Sequence, residues 1–186
     1  QTALNLQNPL LPTYLIGLAS RDSLILEFSP TMISLILAGK VGSSIASEIG
    51  SMRVSEQIDA LEIMGVNSAS FLILPKIIAS MFFFPCLVIL SMAIGMIGAW
   101  IGGLSVNVTT TDFLYGLQYE FVPFYVTYAI IKTLFFAFLV SSISSYFGYH
   151  SKGGAISVGK SSTEAVVYSS IFILVFNFIL TKIILA

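Results

Sequence analysis

Residues 70–104 read SFLILPKIIASMFFFPCLVILSMAIGMIGAWIGGL, and Lys76 is the only charged side chain among them. A helix needs about 20 consecutive apolar residues to cross a bilayer, and this run exceeds that length. Three other segments have the same character: 24–46, 121–147 and 164–185. The sequence therefore predicts an all-α integral membrane protein, a bundle of about four transmembrane helices.

The 70–104 run is too long for one perpendicular span. Either Pro75 and Pro85 divide it into an interfacial entry and a kinked span, or the helix tilts strongly. Gly95, Gly98 and Gly102 fall on one side of this helix, and residues 98–102 fit the G-x-x-x-G pattern. That pattern predicts a close approach of helix backbones, and small residues occurring by chance are the simpler alternative.

The composition excludes a soluble protein. Hydrophobic residues make up 56% of the 186 residues and charged residues 9%, against about 25% charged in ordinary soluble domains. The length predicts a single domain, residues 1–186. A net charge of −1 does not favour nucleic acid as a partner.

The distribution of Lys and Arg predicts the orientation, because basic residues accumulate in cytoplasmic loops. The 105–120 connection holds no Lys or Arg, so it is predicted to face outward. The 47–69 and 148–163 connections are predicted to be cytoplasmic. Five basic residues in or beside these two connections support this orientation, against Arg21 and Lys182 on the outer side: Lys40, Arg53, Lys76, Lys152 and Lys160.

The 47–69 connection, SEIGSMRVSEQIDALEIMGVNSA, has helical periodicity. Val54, Ile58, Leu61 and then Met64 or Gly65 form one apolar stripe, and Gly65 is well placed to end the helix. This predicts a short amphipathic cytoplasmic helix of about three turns. Its polar face is mostly acidic, which favours a protein partner over the alternative, a helix resting on anionic lipid.

Sequence motifs give little support for enzymatic chemistry. Residues 154–161 read GAISVGKS, which matches the G-x-x-x-x-G-K-S phosphate loop in letters only. A functional phosphate loop follows a buried strand and opens a helix, whereas apolar spans flank this one, so we interpret it as a flexible basic loop. The single histidine, His150, lies in a predicted loop without a nucleophile elbow, and one His with one Cys does not make a metal site.

Two charges lie inside apolar segments, namely Glu27 and Lys132. A charge in the middle of a bilayer costs about 3 kcal/mol or more, so such groups usually face the bundle interior or a water-filled cavity. They either line a path for a polar or amphiphilic substrate or form a simple interhelical ion pair. The candidate counter-charges for Lys132 are Glu27, Glu120 and a lipid phosphate. Asn177 is predicted to hydrogen-bond across helices in a structural role.

Several of these stretches, in order along the chain, resemble the MlaE-type permeases. They are EFSP at 27–30, AGKVGS at 38–43, EIGSMRVSEQIDAL at 48–61 and MGV at 64–66, followed by Pro75-Lys76, Gly148-Tyr149 and Thr163. The 48–61 segment is long enough to be highly specific. The resemblance covers nearly the whole chain, although it implies a further N-terminal interfacial helix and span that we expect to be missing here.

The resemblance implies a permease subunit of an ABC transporter that moves phospholipid between envelope membranes and maintains lipid asymmetry. It implies a multi-pass homodimer in the inner (cytoplasmic) membrane, a separate ATP-binding subunit and an MCE-domain lipid-binding protein. The chain itself would be no enzyme and hold no cofactor, with ATP and Mg on the partner. Glu27 and Lys132 would lie near the lipid cavity. The helix that couples to the ATPase would present six residues: Glu48, Arg53, Glu56, Gln57, Asp59 and Glu62.

Two other functions stay open. An ion- or proton-coupled secondary carrier would use Glu27 and Lys132, and inverted repeats or broken helices would support it. A structural membrane scaffold would tolerate substitution of both charges. This sequence also departs from the family pattern at Asn177, because family members often carry an acid in the final span.

Overall fold

The computed structural model describes residues 12–105 and 108–185. The predicted domain of residues 1–186 and the predicted 105–120 connection both include positions outside these ranges. Within them every regular element is helical, and four helices are long and apolar enough to cross a membrane, which confirms the predicted fold class. The helices are α1 Tyr14–Val54, α2 Gln57–Ile63, α3 Ser68–Leu104, α4 Thr110–Gln118, α5 Phe124–Tyr149 and α6 Ala155–Leu185.

The first span extends beyond the predicted 24–46 at both ends. Its opening segment, Tyr14–Ser23, includes Arg21 and Asp22. These two charged residues had placed the segment outside the predicted span. The Arg21 guanidinium is buried and donates hydrogen bonds to the carbonyls of Leu117 and Tyr119, at 2.8 Å each. Because the protein itself satisfies this charge, the helix continues through it.

α1 also contains two wider, π-helical segments. The first, Leu24–Met32, holds both Glu27 and Pro30, and the second is Ala38–Gly42. Such segments are rare and frequently mark functional positions in helices. The sequence patterns did not predict either of them.

The predicted amphipathic helix is present but shorter than the predicted three turns. Glu56 adopts a left-handed conformation, with φ of 59°, and separates α1 from the seven-residue α2. Gly65, with φ of 78°, ends α2 as predicted. Its N–H donates to the Glu62 carbonyl at 3.0 Å, and the Val66 N–H donates to the Leu61 carbonyl at 3.1 Å, which is a Schellman motif.

The apolar stripe of α2 is correct in its middle and wrong at its ends. Ile58 is fully buried and Leu61 is half-buried. Val54 instead belongs to the last turn of α1, and Met64 is 67% exposed. Met64 follows the last helical residue, so its side chain no longer follows the helical periodicity.

α3 runs as one continuous helix through Pro75 and Pro85, so the predicted division into two pieces is wrong, and the strong tilt stays a prediction. Membrane helices tolerate proline because neighbouring groups satisfy the freed backbone. The Asn67 side chain caps α3 by accepting a hydrogen bond from the Ser70 N–H at 3.1 Å. α4 lies inside a predicted connection and is capped by Thr109, whose hydroxyl accepts a hydrogen bond from the Asp112 N–H at 3.2 Å.

The last span also begins earlier than the predicted residue 164. α6 starts at Ala155, so all but the first residue of GAISVGKS is helical. The predicted flexible loop at this position is therefore wrong, since the helical structure continues through Gly159 and Lys160. The residues that match the phosphate-loop motif thus lie on the first turns of a membrane helix.

The four long helices meet in a common apolar core around α5. Side chains from α1, α3, α5 and α6 contribute to it: Ala38, Phe84, Phe136, Ala137, Val140 and Ile173. α1 and α5 approach closely at Gly148, where a Cβ would lie 2.7 Å from the Ala46 carbonyl oxygen. The predicted close approach at the G-x-x-x-G pattern is not made within the described chain, because a Cβ at Gly98 or Gly102 would meet no atom within 4 Å.

Candidate functional site

A charged pair joins α1 to α5 inside the bundle. The Lys132 ammonium donates to the Glu27 Oε1 at 3.0 Å. The Lys132 side chain is 0% exposed, whereas that of Glu27 remains 40% exposed. The structure therefore brings together the two intramembrane charges that the sequence singled out, and Glu27 is the counter-charge among the three candidates.

Side chains from α6 bind the other side of the Glu27 carboxylate. Asn177 Nδ2 donates to its Oε2 at 3.0 Å, and the Thr181 hydroxyl lies 2.9 Å from its Oε1. The Asn177 Oδ1 in turn accepts a hydrogen bond from Thr31 of α1 at 2.9 Å. The predicted hydrogen bonding of Asn177 across helices is confirmed, and both oxygens of the carboxylate have partners.

The ammonium of Lys132 is equally well satisfied. Besides Glu27, it donates to the Leu26 carbonyl at 3.1 Å and to the Thr181 hydroxyl at 3.2 Å. The ring of Tyr128 lies 5.2 Å away, measured to its centroid. A buried charge is tolerated when it is paired and its remaining hydrogen-bonding capacity is used. The ion-pair alternative is thus present in the structure, and the role in a lipid path stays a prediction.

The surroundings of the exposed carboxylate edge are apolar. Phe28 and Met32, on the same turns of α1, are exposed. Further along, α1 and α3 enclose an apolar groove of about 460 Å³, lined by Ile33, Ile36, Leu37, Leu87, Leu90, Ser91, Ile94 and Gly95. One polar edge on an otherwise apolar helix surface suits a molecule with a polar end and an apolar body.

The six predicted coupling residues cluster around α2 but differ in their surroundings. Glu48 lies on α1 and pairs with Lys76 of α3, at 2.6 Å between charged atoms. Arg53, near the end of α1, pairs with Asp59 of α2. Glu56 and Gln57 are exposed at the start of α2.

Glu62 connects α2 to two of the long helices. Its Oε1 accepts hydrogen bonds from Ser68 at the start of α3, at 2.8 Å, and from Tyr149 at the end of α5, at 2.9 Å. These hydrogen bonds hold the pKa of the Glu62 carboxyl below its ordinary value, and the hydrogen bond from Ser68 has the larger effect. α2 is therefore held to the bundle on one side by polar contacts and by buried Ile58.

Sequence reasoning missed several members of these sites. Thr181 lies four residues after Asn177, so helical spacing places both on one face and could have identified it. Ile63 is 87% exposed on α2 and lies beside the acidic positions, although it is off the predicted stripe. The Leu26 carbonyl carries no signal in the sequence, because the backbone is the same at every residue.

The fold and the site together define a multi-pass helical membrane protein with a buried charge pair and a short polar helix at one end. Residues 1–183 match the family described as Permease MlaE, and this chain belongs to that family.

Similar proteins come from bacteria and a plant. A probable ABC transporter permease protein of Rickettsia bellii is 40% identical over 161 residues, which cover 86% of this chain and 62% of the relative. A probable ABC transporter permease protein of Synechocystis is 37% identical, with coverages of 86% and 61%. The Arabidopsis thaliana protein TRIGALACTOSYLDIACYLGLYCEROL 1, chloroplastic, is 35% identical, with coverages of 84% and 45%. The match thus spans less than two thirds of each relative's length.

Proposed function

We propose that this chain is the permease subunit of an ABC transporter that moves phospholipid between envelope membranes. Membership of the MlaE permease family and the names of the bacterial relatives, probable ABC transporter permeases, support transport coupled to an ATPase. The plant relative is named after a diacylglycerol lipid, which supports a lipid substrate. Family membership also favours this function over an ion-coupled carrier that would use the same charge pair.

The observation that carries the lipid assignment is the asymmetry of the charge pair. Lys132 is completely enclosed, whereas the Glu27 carboxylate keeps an exposed edge next to exposed Phe28. An exposed carboxylate accepts hydrogen bonds from the ammonium or hydroxyl groups of a headgroup, while the apolar side chains beside it accommodate acyl chains. A hydrated ion would gain nothing from that apolar surface.

We place the ATPase contact on the exposed surface of α2. Glu56, Gln57, Asp59 and Ile63 are all exposed there. Polar and charged positions around exposed apolar side chains such as Ile63 are typical of a protein interface, in which an apolar anchor is surrounded by a polar rim. We further propose that the permease is a homodimer in the inner membrane and works with an MCE-domain protein, while ATP and Mg bind the ATPase.

One purification experiment tests both the lipid site at Glu27 and the ATPase contact on α2. The full-length permease is purified from membranes as wild type, as Glu27→Ala and as the double variant Glu56→Lys/Asp59→Lys, and bound lipid and bound ATP-binding subunit are quantified. We expect Glu27→Ala to bind about tenfold less phospholipid, because a charge-assisted hydrogen bond is worth about 1.5–3 kcal/mol. The same variant should retain the ATP-binding subunit. The α2 double variant should lose the ATP-binding subunit and retain lipid.

Glu164→Lys is the matched control, since it reverses a half-exposed acid on α6 rather than on α2. It should retain both the lipid and the subunit. Unchanged lipid content in Glu27→Ala contradicts the substrate assignment, and unchanged recovery of the subunit in the double variant contradicts the docking surface.

A further inference from the structure

The Thr181 hydroxyl has more neighbours than a single hydrogen can serve. The Lys132 ammonium lies 3.2 Å from its oxygen, and the Tyr128 hydroxyl lies 2.8 Å from it. The same oxygen lies 2.9 Å from Glu27 Oε1 and 2.8 Å from the Asn177 carbonyl oxygen. Because a hydroxyl donates one hydrogen and accepts at two lone pairs, these contacts must be divided between the two roles.

The neighbours of Thr181 decide where its hydrogen points. Lys132 can only donate, so it occupies one lone pair of the Thr181 oxygen. Tyr128 is fully buried, and its hydroxyl contacts Thr181. If Tyr128 accepted from Thr181, its own O–H would be buried without an acceptor in the described part of the chain, which is costly. Tyr128 therefore donates, and the Thr181 hydrogen goes to Glu27 or to the Asn177 carbonyl.

The carboxylate is the better acceptor for that hydrogen. The Asn177 carbonyl already takes part in the backbone hydrogen bonds of α6. Glu27 carries a negative charge, and hydrogen bonds to charged acceptors are the stronger ones. Thr181 thus donates to Glu27 Oε1, which also accepts from Lys132 at 3.0 Å. The acceptor positions of Oε1 are therefore filled from within the protein.

One acceptor position of Glu27 remains open. A carboxylate offers about four positions, about two on each oxygen. Lys132 and Thr181 fill those of Oε1, and Asn177 Nδ2 fills one on Oε2 at 3.0 Å. The open position is thus on Oε2, and the Glu27 side chain is 40% exposed. Because Lys132 also neutralises the carboxylate, Glu27 offers a ligand chiefly a directed hydrogen bond.

We propose that Glu27 selects phospholipid headgroups that carry at least one hydrogen-bond donor, such as a primary ammonium, over headgroups that carry none, such as a trimethylammonium. This selectivity rests on the proposed function, since it assumes that a lipid headgroup reaches the exposed edge of Glu27. A trimethylammonium group has the same charge but no N–H, so it leaves the open position of Oε2 unfilled. A site that hydrogen-bonds an N–H or O–H discriminates against the analogue that lacks it.

A series of headgroups with stepwise methylation tests this selectivity. The full-length permease in detergent is loaded with a phosphatidylethanolamine that carries a fluorescent acyl chain, and unlabelled lipids displace this probe. The competitors have identical acyl chains and carry none, one, two or three methyl groups on the ammonium. We expect the first two methyl groups to weaken displacement by at most about threefold, because one N–H still fills the single position. The third should weaken displacement by about a further tenfold, since it removes a charge-assisted hydrogen bond.

The shape of this series separates the outcomes. An even weakening over the three methyl groups, or equal displacement by every competitor, overturns the selectivity and leaves phospholipid transport standing. A probe that does not bind, or that none of the competitors displaces, contradicts the proposed function and the selectivity with it.

Variants of Glu27 test whether this carboxylate is the source of the selectivity. Glu27→Ala removes the acceptor and should abolish the step at the third methyl group. Glu27→Gln keeps the volume of the side chain and serves if Glu27→Ala fails to fold. Its amide oxygen faces Lys132, which needs an acceptor, so its nitrogen replaces Oε2 and the step should again be lost. Glu164→Gln, which neutralises a half-exposed acid elsewhere on α6, is the matched control and should retain the step. A step that persists in both Glu27 variants overturns the assignment to Glu27.

Discussion

Glu27 on α1 and Glu62 on α2 show how differently a carboxylate is used in the two parts of this structure. Glu27 lies within a membrane-spanning helix and is held by an ammonium, an amide and a hydroxyl from two other helices. Glu62 lies outside the spans and accepts hydrogen bonds from two neutral hydroxyl groups. The first arrangement neutralises a charge in lipid, whereas the second fastens a short helix to its neighbours.

The Glu62 contacts predict a pH-dependent stability. The hydrogen bonds from Ser68 and Tyr149 lower its pKa below the ordinary value of 4.5. A carboxyl with a lowered pKa in the folded state contributes stability above its unfolded pKa, and that contribution is lost as the pH falls through the folded pKa. Glu62→Gln should therefore lower the melting temperature at neutral pH, and the difference from wild type should shrink below pH 4.5.

Melting temperatures of the purified permease between neutral and acidic pH check this. Tyr149→Phe is the companion variant, because it removes one of the two donors and keeps the aromatic ring. It should reduce the pH-dependent part of the difference. A gap between wild type and Glu62→Gln that stays constant down to the most acidic pH contradicts this role for Glu62.

At the residue scale, the sequence identified the charges but not all of their partners. Glu27 and Lys132 were recognisable because a charge inside an apolar segment is costly and therefore conspicuous. Their pairing could not be derived from the sequence alone, since they lie on different helices with more than one candidate counter-charge. The Leu26 carbonyl that Lys132 contacts lies in the π-helical segment Leu24–Met32, which no apolar pattern predicts.

At the element scale, the apolar core of each span was predictable and its ends were not. Apolar runs end where polar residues begin, but a helix continues wherever its polar groups find partners. Arg21 donates hydrogen bonds to carbonyls at the end of α4, so α1 extends past Arg21. α6 begins nine residues before the predicted 164, at Ala155, and α4 is too short to be seen as a span.

The packing of α4 against the start of α1 depends on two glycines. A Cβ at Gly17 would lie 2.5 Å from the Phe113 carbonyl oxygen, and one at Gly116 would overlap the Tyr14 carbonyl oxygen. Backbone atoms cannot move aside as a flexible side chain can. Gly116→Ala should therefore destabilise the protein by about 1–3 kcal/mol, measured as a lower melting temperature.

Gly159→Ala is the matched control, since a Cβ at this helical position meets no atom within 4 Å. It should be neutral or slightly stabilising, because alanine has the higher helix propensity. Equal melting temperatures for Gly116→Ala and Gly159→Ala contradict the close packing of α4 on α1.

At the scale of the whole molecule, two helices connect the charge pair to α2. α1 carries Glu27 and continues to Val54, a distance of about 40 Å at 1.5 Å per residue. α5 carries Lys132 and ends at Tyr149, which contacts Glu62 of α2. A displacement of α2 by a partner would act on both helices that hold the pair. This continuity is a property of the assembled fold and has no counterpart in any single stretch of sequence.

The most direct measurement of function is ATP-dependent transfer of a labelled phospholipid by the complete complex, purified with its own subunits and reconstituted into liposomes. The wild-type complex should transfer lipid only when ATP is hydrolysed, and Glu27→Ala should transfer about tenfold less while ATP hydrolysis continues. Lipid transfer that is independent of ATP, or equal in wild type and Glu27→Ala, contradicts an ATP-driven phospholipid permease that uses this carboxylate.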